Sequence, residues 1–357
     1  MSNSQTYTHQ ESFTLESGEV LHQIEIAFHT YGKYDPKKNN VIWVCHALTA
    51  NSDVFDWWKG VFGEDDLFNP KDHFIVCANI IGSHYGSSGP LNYPTTDQPS
   101  LDKFPLVTPR DFARAHEILR EYLGIQRIHL LIGASLGGQQ ALEWSIEQPS
   151  IIDNLVLIAT NARHSAFGIA FNESQRLAIK SDQSFGNGNK DGGRNGLVTA
   201  RSIAMLSYRS YEGYAQTQTD VELNKIDDFR AQSYQKYQGE KLANRFNAYS
   251  YVTLSKAMDA HNVGRNRPTI EIALQQITAR TLVIGIETDI LFPISEQEFL
   301  ANKISKAQFG KIDSVFGHDG FLVENKQLTD LISDFLFNDF KNNRRTTFKN
   351  NIKLSAK

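Results

Sequence analysis

The chain has little to offer for disulfide or metal chemistry. Its 357 residues include only two cysteines, Cys45 and Cys77. There is no Cys-x-x-Cys pair and no His-Glu-x-x-His, so no designed metal site and no resident cofactor are expected. Both cysteines lie at or near the ends of apolar, strand-like runs, where the default is a buried thiol in a reducing compartment. No apolar run approaches the roughly 20 residues of a membrane span. Residues 1–10 are polar and lack the apolar stretch of a signal peptide, so a cytoplasmic protein without a membrane partner is expected. Charge of one sign is not in excess either. A formal net charge of −4 gives no reason to expect a nucleic-acid partner. The basic, polar tail at 341–357 reads as a frayed, solvated terminus. No internal repeat is present.

What the sequence does have is a strand–helix rhythm. Val41-Ile42-Trp43-Val44-Cys45 and Phe74-Ile75-Val76-Cys77-Ala78 are short continuous apolar runs, as expected of strands buried on both faces. Thr108-Pro109-Arg110-Asp111 predicts a helix start with a threonine cap, and Gly124 predicts its end. Apolar runs return at 128–132, 155–159 and 281–286, with a further strand expected near 311–315. This alternation argues for an α/β protein with a mostly parallel sheet flanked by helices. Between 162 and 276 the rhythm stops. The segment is polar, compatible with helix and rich in tyrosine, and a Gly/Asn-rich stretch at 185–196 reads as a loop. Residues 1–161 and 277–357 are therefore expected to form the core domain, with 162–276 a helical insertion covering the sheet edge. The four tryptophans are expected to be core or pocket wall.

The chemically informative segment is Gly133-Ala134-Ser135-Leu136-Gly137. It follows the strand-like run Ile128-His129-Leu130-Leu131-Ile132 and precedes the helix-like Gly138-Gln139-Gln140-Ala141-Leu142-Glu143-Trp144. Strand, sharp turn and helix are the context in which G-x-S-x-G forms a nucleophile elbow. The flanking glycines are needed there because a side chain would strike the neighbouring strand or helix. A serine hydroxyl needs a base, and the base needs an orienting acid. In the α/β-hydrolase arrangement the chain order is serine, acid, histidine. Of eleven histidines, only His318 lies beyond the last sheet acid. Glu287 and Asp289 both follow the run at 281–286, and Asp289 is preferred because Glu287 still belongs to the strand end. The oxyanion hole would take one backbone N–H from Leu136, after the nucleophile. The other would come from the loop Cys45-His46-Ala47-Leu48-Thr49, from Leu48 or Ala47. His46 precedes the serine and is expected to be structural.

With these residues in place, the chain resembles the homoserine O-acetyltransferase family of α/β-hydrolase-fold acyltransferases. The matching pieces run in order from about Phe13 to Phe335. They include Cys45-His46-Ala47-Leu48-Thr49, Asp56-Trp57-Trp58, Ser135-Leu136-Gly137-Gly138, Ser207-Tyr208-Arg209-Ser210, Tyr237-Gln238-Gly239-Glu240-Lys241, Arg245-Phe246-Asn247-Ala248-Tyr249-Ser250-Tyr251, Asp289-Ile290-Leu291-Phe292-Pro293 and Gly317-His318-Asp319-Gly320. The resemblance implies a two-step transfer of acetyl from acetyl-CoA, through Ser135, to the hydroxyl of L-homoserine, as part of methionine biosynthesis. It further implies that Arg201 and Tyr208 hold the amino-acid end, with Arg201 at the carboxylate and Asp319 at the ammonium, and that the helical insertion forms a lid and a homodimer contact. Arg209 is a rival for the carboxylate.

Ala134 and Leu136 stand where this family commonly has glycine and methionine, and the loops Thr49-Ala50-Asn51-Ser52 and Ile80-Ile81-Gly82-Ser83-His84-Tyr85 also differ. Both loops are expected near the acyl site, which leaves succinyl-CoA as an alternative donor and L-serine as an alternative acceptor. An esterase would need the same triad. A catalytically silent binding protein of this fold is the reading from another class.

Overall fold

A computed structural model describes residues 4–95 and 98–337; the basic tail at 341–357 lies outside them. Eight strands make one sheet. They are β1 (Gln5–His9), β2 (Ile24–Tyr31), β3 (Val41–Cys45), β4 (Phe74–Ala78), β5 (Ile128–Ala134), β6 (Ile152–Ile158), β7 (Arg280–Ile286) and β8 (Ala307–Ile312). The spatial order is β1-β2-β4-β3-β5-β6-β7-β8. β1 and β2 pair antiparallel, as do β2 and β4. Every later pairing is parallel. All five residues of β3 are buried, and β5, β6 and β7 are nearly so. Such strands need helices on both faces, and that is why they read as unbroken apolar runs.

The weaker edge strands were less legible. β1 is polar and β8 carries Gly310 and Lys311, so neither shows a continuous apolar run. β8 accordingly spans 307–312 and not the 311–315 read from sequence. β2 was not anticipated at all.

Two helices hold the nucleophile strand from one side. α1 (Pro109–Tyr122) starts in a capping box: Thr108 accepts from the Asp111 N–H, and Asp111 accepts from the Thr108 N–H at 2.9 Å. Asp111 is buried and also accepts from the Glu16 N–H at 2.7 Å, and burial raises its carboxyl to about 6. α2 (Leu136–Glu147) is buried along almost its whole length.

Between β6 and β7 come six helices: α3 (Ala166–Lys180), α4 (Arg194–Tyr208), α5 (Tyr211–Gln218), α6 (Arg230–Ala243), α7 (Ala248–Asp259) and α8 (Ile270–Gln275). α4 begins at Arg194, three residues inside the stretch that reads as loop. Where the chain returns to the sheet, Arg267 bonds Glu143 at 2.8 Å and Arg265 bonds Glu16 at 2.9 Å. Arg110 of α1 bridges the same two acids, at 3.0 Å to Glu143 and 2.5 Å to Glu16. These carboxylates are buried and each is shared between two arginines, a network costly to break from one side. After β7 follows α9 (Ile294–Lys303), and α10 (Asn325–Phe337) ends the described chain. No described helix is long and apolar enough to cross a membrane.

Candidate active site

Ser135 sits at the turn between β5 and α2, with φ 57° and ψ −125°. A non-glycine residue in this region carries strain of about 1–3 kcal/mol, so the surrounding packing must impose it. The glycines on either side show how. A Cβ on Gly137 would lie 2.1 Å from the Cys45 carbonyl oxygen, and one on Gly133 would lie 2.3 Å from that of Gly137. β5 and α2 meet too closely for side chains, and the turn is held sharp. Ser135 N–H also donates to Ile158 O at 2.9 Å, and Thr160 Oγ1 donates to Ser135 O at 2.9 Å.

The two partners arrive from the ends of later strands. His318 Nε2 is 2.9 Å from Ser135 Oγ, and His318 Nδ1 is 2.6 Å from Asp289 Oδ2. A carboxylate accepts only, so Nδ1 carries the proton and Nε2 is free to accept from the serine. Asp289 is fixed in turn, because its Oδ1 accepts from the Leu291 and Phe292 N–H groups at 2.8 and 2.9 Å. The imidazole stacks on Phe292 at 5.0 Å and meets the edge of Phe321 at 5.5 Å. All three polar side chains are buried. Glu287, the other acid considered, faces solvent and pairs with Lys311 at 2.7 Å.

Leu136 is the first residue of α2, so its N–H is one of the helix's unpaired first-turn donors. Leu48 lies in the turn after β3, beside the same cavity as Ser135. His46 is buried and structural: Ile80 N–H donates to its Nε2 at 3.2 Å, while its Nδ1 lies 2.9 Å from Ala47 O. Burial lowers its pKa to about 4, which keeps it neutral.

A cavity of about 380 Å³ opens over Ser135. The sheet side contributes Leu48, Asn51, Trp57, His318 and Asp319, and the helical segment contributes Arg201, Tyr208, Lys241 and Arg245. The Arg201 guanidinium lies over the Tyr208 ring at 5.1 Å, which fixes both. Burial raises the pKa of Tyr208 and keeps its hydroxyl protonated. Asp319 lines the cavity, and its carboxylate is already 3.1 Å from Arg209 Nε, an ion pair without the alignment of a hydrogen bond. Arg209 itself faces a different cleft, beside Tyr214 and Phe316. The eight expected residues therefore converge: six line the cavity, while Asp289 and Leu136 back it from behind. Trp57 is a pocket-wall tryptophan, whereas Lys241 and Arg245 lie in recognisable stretches of sequence that carry no assigned place. Three tryptophans, Trp43, Trp58 and Trp144, are core.

A second acid stands behind the triad. Glu296 Oε2 accepts from Asn161 Nδ2 at 2.9 Å, and Asn161 Oδ1 accepts from Gln139 Nε2 at 3.0 Å. Burial, reinforced by the Asp289 charge, raises the Glu296 carboxyl to about 7. Nothing in the sequence around Glu296 marks it, because its environment comes from β6 and α2. Among the described residues no group of three or more histidine, cysteine or acidic side chains could hold a metal ion.

The strand order, the elbow serine after β5, and the acid and histidine after β7 and β8 define the alpha/beta hydrolase fold, and the chain matches that family over residues 40–325. A homoserine O-acetyltransferase of Cyclobacterium marinum is 46% identical over 327 residues, covering 91% of this chain and 93% of the relative. The solved homoserine O-acetyltransferase of Staphylococcus aureus is 30% identical, with a TM-score of 0.80, and covers 96% of this chain and 98% of its own. The chain belongs to the homoserine O-acetyltransferase family. Esterase E22 superimposes with a TM-score of 0.85 at 21% identity, over 94% of this chain and 100% of its own. That likeness shows the fold alone.

Proposed function

We propose that this enzyme moves an acetyl group from acetyl-CoA to the hydroxyl of L-homoserine, the activity for which its relatives are named. Ser135 Oγ attacks the thioester carbonyl carbon as its proton passes to His318 Nε2, and Asp289 stabilises the imidazolium. Leu48 and Leu136 N–H groups receive the oxyanion. The tetrahedral species collapses, the C–S bond breaks, and the thiolate of CoA leaves with the proton from His318. The homoserine hydroxyl then gives its proton to the same nitrogen and attacks the acetyl-serine. Collapse releases O-acetylhomoserine, and the proton returns to Ser135 Oγ.

One observation carries the transferase reading. The Arg201 guanidinium stands in the wall of the cavity that holds Ser135, on an aromatic ring and in no ion pair with a carboxylate among the described residues. A guanidinium matches a carboxylate fork, so it suits an amino-acid acceptor better than a plain ester. Asp319, which lines the same cavity, would take the ammonium by exchanging part of its contact with Arg209. Acetyl-CoA serves as donor substrate, and no resident cofactor is needed. The helical segment supports a homodimer, because Val221, Leu223 and Ile226 between α5 and α6 are almost fully exposed. Two buried free thiols agree with a cytoplasmic setting.

The test is release of CoA thiol from purified protein and acetyl-CoA, with and without L-homoserine, alongside succinyl-CoA and L-serine. Release that depends on homoserine, with O-acetylhomoserine identified by mass, is the expected result. Equal release without acceptor would make the protein a hydrolase, and preference for succinyl-CoA or serine would move it to the sister activity.

A further inference from the structure

The turn after β3 that carries Leu48 is pinned at alternate carbonyls, those of Ala47, Thr49 and Asn51. Ala47 O faces His46 Nδ1 at 2.9 Å and accepts from Ala50 N–H at 3.0 Å. Asn51 O accepts from Trp57 Nε1 at 2.8 Å, and Ser52 N–H donates to Asn79 Oδ1 at 2.8 Å. These anchors belong to the sheet side. The Thr49 carbonyl is held from the other side of the cavity: Arg245 Nη1 donates to it at 2.5 Å, and Nη2 donates to Thr49 Oγ1 at 3.3 Å. Arg245 lies in the α6–α7 junction and is itself braced. Its Nη1 donates to Tyr85 Oη at 3.1 Å, and Tyr85 Oη donates to the Arg245 carbonyl at 2.9 Å. Next to it, Phe246 is buried with its ring against His84 at 4.8 Å.

In a trans peptide the N–H points opposite to the carbonyl of the same plane. Ala47 C=O and Leu48 N–H share one plane, so pinning the first aims the second. The next pinned plane, Thr49–Ala50, is the one Arg245 grips. Between these two planes lie only the dihedrals of Leu48 and Thr49. With Arg245 gone, that plane would keep only the Ala50 N–H bond to Ala47 O, and the aim of the Leu48 N–H would loosen.

We infer that Arg245 is a positioning residue for acyl transfer, holding the Thr49 carbonyl so that the Leu48 N–H stays directed at the oxyanion and tying the helical segment to the oxyanion hole. This rests on the proposed function, in which Leu48 is an oxyanion donor. The competing role for an arginine in this cavity wall is to attract the phosphates of the donor. The two differ for a donor that has no phosphate.

The experiment is the pre-steady-state burst with p-nitrophenyl acetate, run beside acetyl-CoA. Arg245→Ala is expected to lower the acylation rate constant about 10- to 100-fold for both donors, below the roughly 100- to 1000-fold seen when an oxyanion donor is removed outright, because the donor is loosened and not lost. KM should move little, because the lost stabilisation belongs to the transition state. Arg245→Lys keeps the charge but lacks the fork, and should stay as slow as the alanine variant, whereas added guanidinium ion should restore part of the Arg245→Ala burst. Tyr85→Phe, which removes one brace and leaves the arginine, should slow acylation by about threefold. An unchanged nitrophenyl acetate burst in Arg245→Ala, with KM for acetyl-CoA raised and Arg245→Lys restored, would make Arg245 a donor-binding cation and sink the inference alone. Failure of the wild-type protein to form acetyl-Ser135 from either donor would instead overturn the proposed function, and the inference with it.

Discussion

On the sheet side of the cavity, Ser135, Asp289 and His318 stand just beyond the ends of β5, β7 and β8, and each is held by partners from the sheet and its connections. The serine is fixed by strand-to-helix contacts, the aspartate by two backbone N–H groups, and the imidazole by the aspartate and Phe292. On the helical side, Arg201, Tyr208, Lys241 and Arg245 face the same space from α4, α6 and the junction after α6. Their supports are fewer and lie nearer solvent: one cation–π contact for Arg201, one for Lys241, and polar bonds to Thr49 and Tyr85 for Arg245. The same segment carries nearly fully exposed Val221, Leu223 and Ile226, while the central strands are almost wholly buried. Bond making needs fixed geometry, which a close-packed sheet supplies; admitting a donor and then an acceptor needs a wall whose groups can exchange partners.

If this division is right, changes on the two sides should fail in different ways. The largest effect is expected from Ser135→Ala, which should reduce transfer by about 10⁴-fold or more while the thermal midpoint is unchanged or slightly higher. Near wild-type turnover would remove the serine from the reaction. Arg201→Ala should act on one half-reaction. KM for homoserine should rise about 10- to 100-fold while the acetyl-enzyme burst stays within about twofold of wild type. Equal losses in both half-reactions would erase the distinction between the two walls.

The smallest effect concerns Glu296, behind the triad. Its carboxyl is raised from the ordinary 4.5 to about 7 by burial, with the Asp289 charge adding to the shift. A raised acid binds its proton more tightly in the folded than in the unfolded protein. The associated stability is therefore fully present below pH 4.5 and is lost as pH rises through about 7. Glu296→Gln should flatten that decline, by about 1 kcal/mol once partial solvent screening is allowed for. Denaturation midpoints between pH 5 and 8 would show it. Parallel slopes in the two proteins would mean that Glu296 is ionised throughout.

Much of the sheet side was readable because its signals are local. Apolar runs marked the central strands, Thr108 and Asp111 marked the start of α1, and glycines around Ser135 marked an elbow. Chain order then selected Asp289 and His318 from many acids and histidines. Elements whose signals are dilute were missed or misplaced: β1 escaped and β8 was read a few residues late, because both are edge strands with polar faces whose pairing comes from a neighbour and not from their own composition. The helical wall was readable only as helix. Arg201 and Arg209 are both compatible with a carboxylate by type. Only packing shows that Arg201 lies over Tyr208 in the cavity while Arg209 is drawn to Asp319 and a separate cleft.

The amino-acid sequence by itself determined the parallel core, the elbow and the order of the triad. These follow from periodicity, turn chemistry and the sequence of strand ends along one sheet. Tertiary structure decided which cation faces the serine, which peptide planes line the oxyanion turn, and why the Glu296 carboxyl is raised. Those properties depend on groups about 100 residues or more apart in the chain brought within hydrogen-bond reach, such as Arg245 and Thr49 or Glu296 and Asn161. Burial and partner distance set their energies, and neither quantity exists until the chain is folded.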